Sequence, residues 1–470
     1  MTSITSMTTP VATQLSFLNH ASVLLRQGDR YLLTDPWFQK PAFGSWLPTF
    51  PPYIHPAYLA ALGDRLSVLI SHGHDDHCDD EFLALLSSDT EMVTADFASP
   101  SVLNRLRRIG FKNIVAAGRE GITAAGGMIV KSYITPHQSP DDAVFTIDTG
   151  TGFVVHCNDN WFKLEPDVLA AVRADRQRHR PESTVFMSQT NSASGYPLNY
   201  LGLDPARKLE ILHAKVTGMI AQGLQNAADL DIPRFVSYAG YASVHVKGKP
   251  EYFELGIVPT AQYIREELGA DPRIAALLGR VDILDFYPGD VLDMATGSVA
   301  KAFVSSQHYA DEDLKAAATR YYERYAIVDG CDTFADAGEA LVDPRRLDFF
   351  LNQLGDFALR KTEGDDAPFQ SIRGKSFEIR ISDTGVQRRI VFGEGLVPVT
   401  PDSPLPSKRL HVGAALMNQV LDGRILFENL YTGYEAEWER FPAHVYNRDI
   451  VMFVVMYSYL YKNRLAPQNT

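Results

Sequence analysis

The stretch Leu66–Asp80, LSVLISHGHDDHCDD, decides how this chain is read. Its first five residues are apolar apart from one serine, which at that length describes a strand buried on both faces. A loop follows that holds His72, His74, Asp76 and His77, and Asp79-Asp80 then lead into the helix-like segment EFLALLSS. Three of the chain's 13 histidines fall within these six positions. Imidazoles and carboxylates crowded so closely have an evident use, which is to converge on divalent metal ions. If the loop leaves the strand end in a turn, His72 and His74 can face one ion, and Asp76 and His77 a second.

Outward from this stretch the texture is layered. QLSFL, ASVLLRQ, RYLLTDP, MVTAD, NIVAAG and MIVKSYIT are runs of strand length, and AVFTIDTGTGFVVHCND reads as a hairpin turning at Asp148–Gly152. Helical segments lie between them, near 99–109, 165–178 and 204–230. Strands interrupted by helices that can cover outer faces indicate an α/β class. Beyond about 300, two helical stretches precede the strands KSFEIRIS and QRRIVFGE, which places a boundary near 295–305.

Composition bounds the function. The chain has 470 residues, with 44 Lys+Arg against 57 Asp+Glu, a net charge of −13. That length gives two or three domains, and the acidic balance argues against a nucleic-acid binder. Three cysteines, Cys78, Cys157 and Cys331, form neither a disulfide framework nor a CxxC pair. Cys78 reads as a small buried residue. The N-terminus has no charged segment followed by an apolar run. The longest apolar stretch, Ile450–Tyr461, falls short of the roughly 20 residues that a membrane-spanning helix needs. The expectation is a cytoplasmic protein with no membrane or nucleic-acid partner.

His72-Gly-His74-Asp-Asp76-His77, after a strand and before a helix, resembles the H-x-H-x-D-H signature of the metallo-β-lactamase superfamily. Asn19-His20-Ala21-Ser22 and Leu33-Thr34-Asp35-Pro36-Trp37 resemble the branch containing ascorbate-6-phosphate lactonases. The resemblance implies an αββα sandwich with a one- or two-metal site along one sheet edge. It divides the chain into a catalytic domain over 12–298 and a C-terminal α+β extension over 299–470. By position it also implies the remaining ligands. His137, in Thr135-Pro136-His137, matches a third ligand of the first metal, and Asp159 matches the carboxylate that bridges both. The family usually shows Gly-Asp-Thr there, whereas this chain has Asn158-Asp159-Asn160. His245 is the choice for the last ligand, since His213 lies inside a helical pattern and His308 and His411 fall in the C-terminal region. Asp35 either holds a metal-bound histidine in its tautomer or simply starts a turn. His156 reads as a supporting or core residue.

Further segments narrow the branch. The loop Ser188–Pro197, with Gln189, Asn191 and Tyr196 as substrate contacts, the loop Ser237–His245 and the segment Gly433–Asp449 together resemble CMP-N-acetylneuraminate hydroxylase-like proteins. Those proteins carry an N-terminal Rieske domain, and this sequence begins directly with the sandwich. Two chemistries use such ligands. Two irons, Asp76 and Asp159 among their ligands, would support hydroxylation or N-oxygenation of an amino acid or sugar derivative, as in natural-product pathways, with O₂ and an external reductase or ferredoxin. Two Zn²⁺ or Mn²⁺ ions would activate water against a lactone, ester or phosphodiester. Spacing alone does not choose between them.

Overall fold

The computed structural model describes residues 12–38, 40–50, 53–134, 142–302, 311–324, 341–362, 372–445 and 447–465. The run around Leu66 is the strand Leu66–Leu69, paired in parallel with Arg30–Thr34 on one side and Glu91–Ala95 on the other. Alternation sorts its side chains: Leu69 faces the space between two large sheets, while Leu66 and Val68 face Phe82, Val102 and Leu106 of covering helices. Both faces are dry, so nearly every position must be apolar.

This strand belongs to an eight-stranded sheet. Its leading strands, Thr13–Asn19, Ser22–Gln27 and Arg30–Thr34, are antiparallel neighbours, and Leu66–Leu69, Glu91–Ala95 and Ile114–Ala117 extend it in parallel. A seven-stranded sheet packs against it, built on the expected hairpin Ala143–Asp148 and Phe153–His156 and continued by parallel Thr184–Gln189 and Arg234–Tyr238. Phe17, Val23 and Val93 of the first sheet meet Phe145, Val154 and Val236 of the second in one dry layer. The helix Pro205–Asp229 covers the outer face of the second sheet with Leu212, Val216, Ile220 and Leu224, spaced four apart along one side. Asp204 caps it by accepting from the Arg207 amide. Helix, sheet, sheet, helix is the αββα order that the sequence led us to expect.

Val299–Ala300 pairs with Val291–Asp293, so the first sheet continues to Ala300. Beyond it come the helices Asp311–Arg324 and Pro344–Lys361, a five-stranded sheet containing Ser376–Ile381, and the helix Arg448–Leu465. Phe350, Leu354, Phe377, Trp438, Val454 and Tyr457 share one apolar cluster there. The run Ile450–Tyr461 is therefore a helix packed on this core, and among the described residues no helix is long and apolar enough to cross a membrane.

Candidate metal centre

The loop after Leu69 emerges where the parallel strands of both sheets end, beside Asn158-Asp159 and Gln189 of the second sheet. Asp35, at the end of its own strand, organises it. Its carboxylate accepts from the Ser71 amide and hydroxyl, both at 2.7 Å. The same group lies 3.0 Å from His77 Nδ1 and 3.3 Å from His156 Nε2, with all three side chains fully buried. His77 is thereby fixed with Nε2 turned into the site. Arg105, from the helix Ser101–Ile109, clamps the loop from outside. Its guanidinium donates to the carbonyls of Gly73 and Cys78 and to the carboxylates of Asp75 and Asp80. Arg105→Met should therefore destabilise the protein by about 1.5–3 kcal/mol, the range for hydrogen bonds involving charged groups. An unchanged denaturation midpoint would show that the loop holds itself.

Two donor groups result, each with ligand atoms within 4.8 Å of one another: His20, Asp76 and His77, and His72, His74 and Asp159. His20 Nε2 is 3.4 Å from Asp76 Oδ2, and His77 Nε2 is 3.2 Å from Asp159 Oδ1. His72 Nε2 lies 2.8 Å from His74 Nδ1 and 4.0 Å from Asp159 Oδ2. His20 Nδ1 and Asp76 Oδ1 are buried without a hydrogen bond, and the ion-paired His20 Nε2, His77 Nε2 and Asp159 Oδ1 lack good hydrogen-bond geometry. Buried polar atoms so poorly satisfied are costly, and bound cations would satisfy all of these together. The donors are nitrogen and carboxylate oxygen, so the residues fit two divalent ions. His20, Asp35, Asn158 and Ala239, all at this edge, have φ values of 37°, 38°, 40° and 46°. Left-handed backbone at non-glycine residues is strained and gathers where a site holds it in place.

The electrostatics agree. Burial opposes charge on His77, yet Asp159, Asp76 and Asp35 hold its imidazolium well above the ordinary histidine range. Burial dominates at His72, which the neighbouring His77 and His74 push further down. Asp142, buried and 3.9 Å from His72 Nδ1, is pushed up to about 8 by burial and by the Asp159 charge. Carboxylates so close to one another cannot all ionise cheaply without cations between them. Asp159→Asn keeps the volume but removes charge that faces His72 of one group and His77 of the other, so it should lose one metal ion preferentially. Retention of both ions with unchanged affinity would make Asn158–Asn160 merely structural.

The structure brings together His72, His74, Asp76, His77 and Asp159, with Asp35 behind His77. His137 lies outside the described residues, as do His308 and Cys331. His245 directly follows a short strand. Its strand, Ala242–Val244, pairs with Trp46–Pro48, and the His245 amide donates to Ser45 O. That pairing sets the ring against Phe253, 4.8 Å between centroids, and 3.3 Å from Ser243 Oγ. His20 stands beside Asp76. Tyr196 stacks on Arg440 at 4.3 Å and bonds it through the hydroxyl, and Gln189 and Asn191 line the cleft next to Asp76. His213 faces Tyr263, and His411 pairs with Glu439. His156 packs beside Tyr238 behind Asp35. Sequence reasoning missed His20, Asp142, Arg105 and Glu428; only His20 carried a signal, in Asn19-His20-Ala21-Ser22.

Residues 14–187 match the family described as the beta-lactamase superfamily domain. Among curated proteins, the chain is 34% identical over 99 residues to a Rieske 2Fe-2S iron-sulfur protein of Mycobacterium tuberculosis, covering 21% of this chain and 19% of that one. It is 36% identical over 104 residues to cytidine monophosphate-N-acetylneuraminic acid hydroxylase of Asterias rubens, covering 21% and 15%. The chain thus spans about a fifth or less of the length of these relatives. Among solved structures, it is similar to CmlA, a diiron beta-hydroxylase from Streptomyces venezuelae, with TM-score 0.38, 15% identity, and 61% and 55% of the two chains covered. It is likewise similar to Igni18, a metallo hydrolase from Ignicoccus hospitalis, with TM-score 0.37, 12% identity, and 62% and 100% covered.

Proposed function

We propose that this chain, which carries a beta-lactamase superfamily domain over residues 14–187, is a two-metal oxygenase that inserts one oxygen atom into a small amino-acid-like or sugar-derived metabolite. The observation that carries the two-metal part of this reading is the donor set. His20, His72, His74 and His77 with Asp76 and Asp159 supply imidazole and carboxylate alone, and the Asp142 carboxyl lies beside them. Such ligands suit iron. The likeness to a relative named as a hydroxylase supports oxygenation. Bound iron would supply the redox chemistry that activates O₂; two electrons and two protons from an external reductase or ferredoxin would balance the second oxygen atom as water.

The chain's own residues bind and orient. His20 and Asp76 line a cleft together with Trp46, Tyr252, Ile257 and Tyr434. These apolar walls exclude water from the reacting end. Gln189 and Asn191 face the same space, and Asn191 is held by Nδ2 donating to Ile257 O at 2.7 Å. A pre-set amide of this kind fixes which atom of a substrate approaches the centre. The second reading is hydrolysis by two Zn²⁺ or Mn²⁺ ions, favoured by the superfamily's name and served by the same donors.

The test is direct. Iron-loaded, reduced full-length chain with reduced ferredoxin is incubated with pools of amino acids and sugar derivatives under ¹⁸O₂. The expected product carries one labelled oxygen atom. Product labelled only from water, formed equally without O₂, would establish the hydrolase instead.

A further inference from the structure

Glu428 is the feature of the centre that comes from furthest along the chain. It lies on the short helix Phe427–Tyr431, is almost fully buried, and points back at the metal loop. Its Oε1 is 3.4 Å from His74 Nε2. Its Oε2 accepts from the Tyr459 hydroxyl on the helix Arg448–Leu465. The two nitrogens of His74 therefore have separate surroundings. Nδ1 faces His72 Nε2 within the donor group His72, His74 and Asp159, and Nε2 faces Glu428. The Phe43 ring meets His74 edge-on, with centroids 5.8 Å apart.

The approach of this segment is built in, not incidental. Trp46 Nε1 donates to Thr432 O at 2.8 Å, Ser45 Oγ donates to Gly433 O, and Asn199 Nδ2 donates to Tyr431 O at 3.1 Å. A Cβ on Gly433 would collide with Phe43 O, so glycine alone permits the contact. The same aromatic loop that walls the cleft thus anchors the segment that carries Glu428.

Resting on the two-metal reading above, we propose that Glu428 is a positioning residue of the metal centre: held by Tyr459, it orients His74 with Nδ1 toward the ion and raises that ligand's basicity. A carboxylate on the far nitrogen of a metal-bound imidazole acts in this way, and its removal typically weakens metal binding by about 10–100-fold. The C-terminal region is then a working part of the centre, and its docking is coupled to metal affinity.

The experiment titrates the metal-free full chain with Co²⁺ and follows visible absorption and the thermal midpoint. Wild type should take up two ions. Glu428→Gln should still saturate with two, one bound about 10–100-fold more weakly with an altered spectrum and the other unchanged, while the metal-free midpoint stays near wild type. Tyr459→Phe should weaken the same ion by a smaller factor. If Glu428→Gln does not fold, Tyr459→Phe carries the test with the same outcomes. Wild-type affinity for both ions, or equal loss of both together with a lowered midpoint, would overturn the positioning role alone. A wild-type chain that binds no Co²⁺ would overturn the two-metal reading and this proposal with it.

Discussion

His74→Ala should leave a folded protein that has lost one of its two metal ions and whose turnover falls by more than about a hundredfold. Loss of a residue behind a metal ligand already weakens such sites by about 10–100-fold, and removal of the ligand itself must exceed that. The fold should survive because His74 sits on a loop with its side chain about 40% exposed, outside the apolar layers. Metal content and a thermal midpoint measured on the same sample separate the two effects. Full occupancy in a folded His74→Ala protein would remove His74 from the centre.

Asp35→Ala should act on stability first. Asp35 is wholly buried, bonded to Ser71 and paired with His77 and His156. Removing one partner of a buried ion pair leaves the other uncompensated, at about 3–5 kcal/mol. Burial works against the Asp35 charge, but His77 and His156 outweigh it and hold the carboxyl well below the usual carboxylate range. The folded pKa is thus lower than the unfolded one, so the stabilisation is complete above about pH 4 and is lost as pH falls toward the folded value. Metal-free wild type and Asp35→Asn should differ most near neutrality and converge in acid. A constant difference across that range would mean that the charge is not what stabilises.

What the sequence could disclose follows from which contacts are local. Leu66–Asp80 carried strand, loop and helix start in one piece, because a buried parallel strand needs a near-continuous apolar run and its ligands follow it directly. The long helix 205–229 was legible from apolar residues four apart. The surroundings of His20 and His245 were not. His245 follows a strand among small residues, and the pairing of that strand with Trp46–Pro48 sets its ring against Phe253. His20 reaches Asp76 because the hairpin Thr13–Gln27 has an irregular register between Phe17 and Asn19, which puts His20 at its tip in left-handed backbone. No periodicity encodes that. Glu428 and Asp142 are joined to the site by packing across hundreds and tens of residues respectively, a distance over which sequence pattern is silent.

Two-metal oxygenation requires two ions held by these side chains, and requires them to be iron. The most direct measurement is metal analysis of the full-length chain loaded anaerobically with iron, combined with its absorption before and after O₂ reaches the reduced protein. The expected result is close to two irons per chain and a new absorption that forms with O₂ uptake. Firmly held zinc that iron cannot replace, with no oxygen consumed, would contradict it.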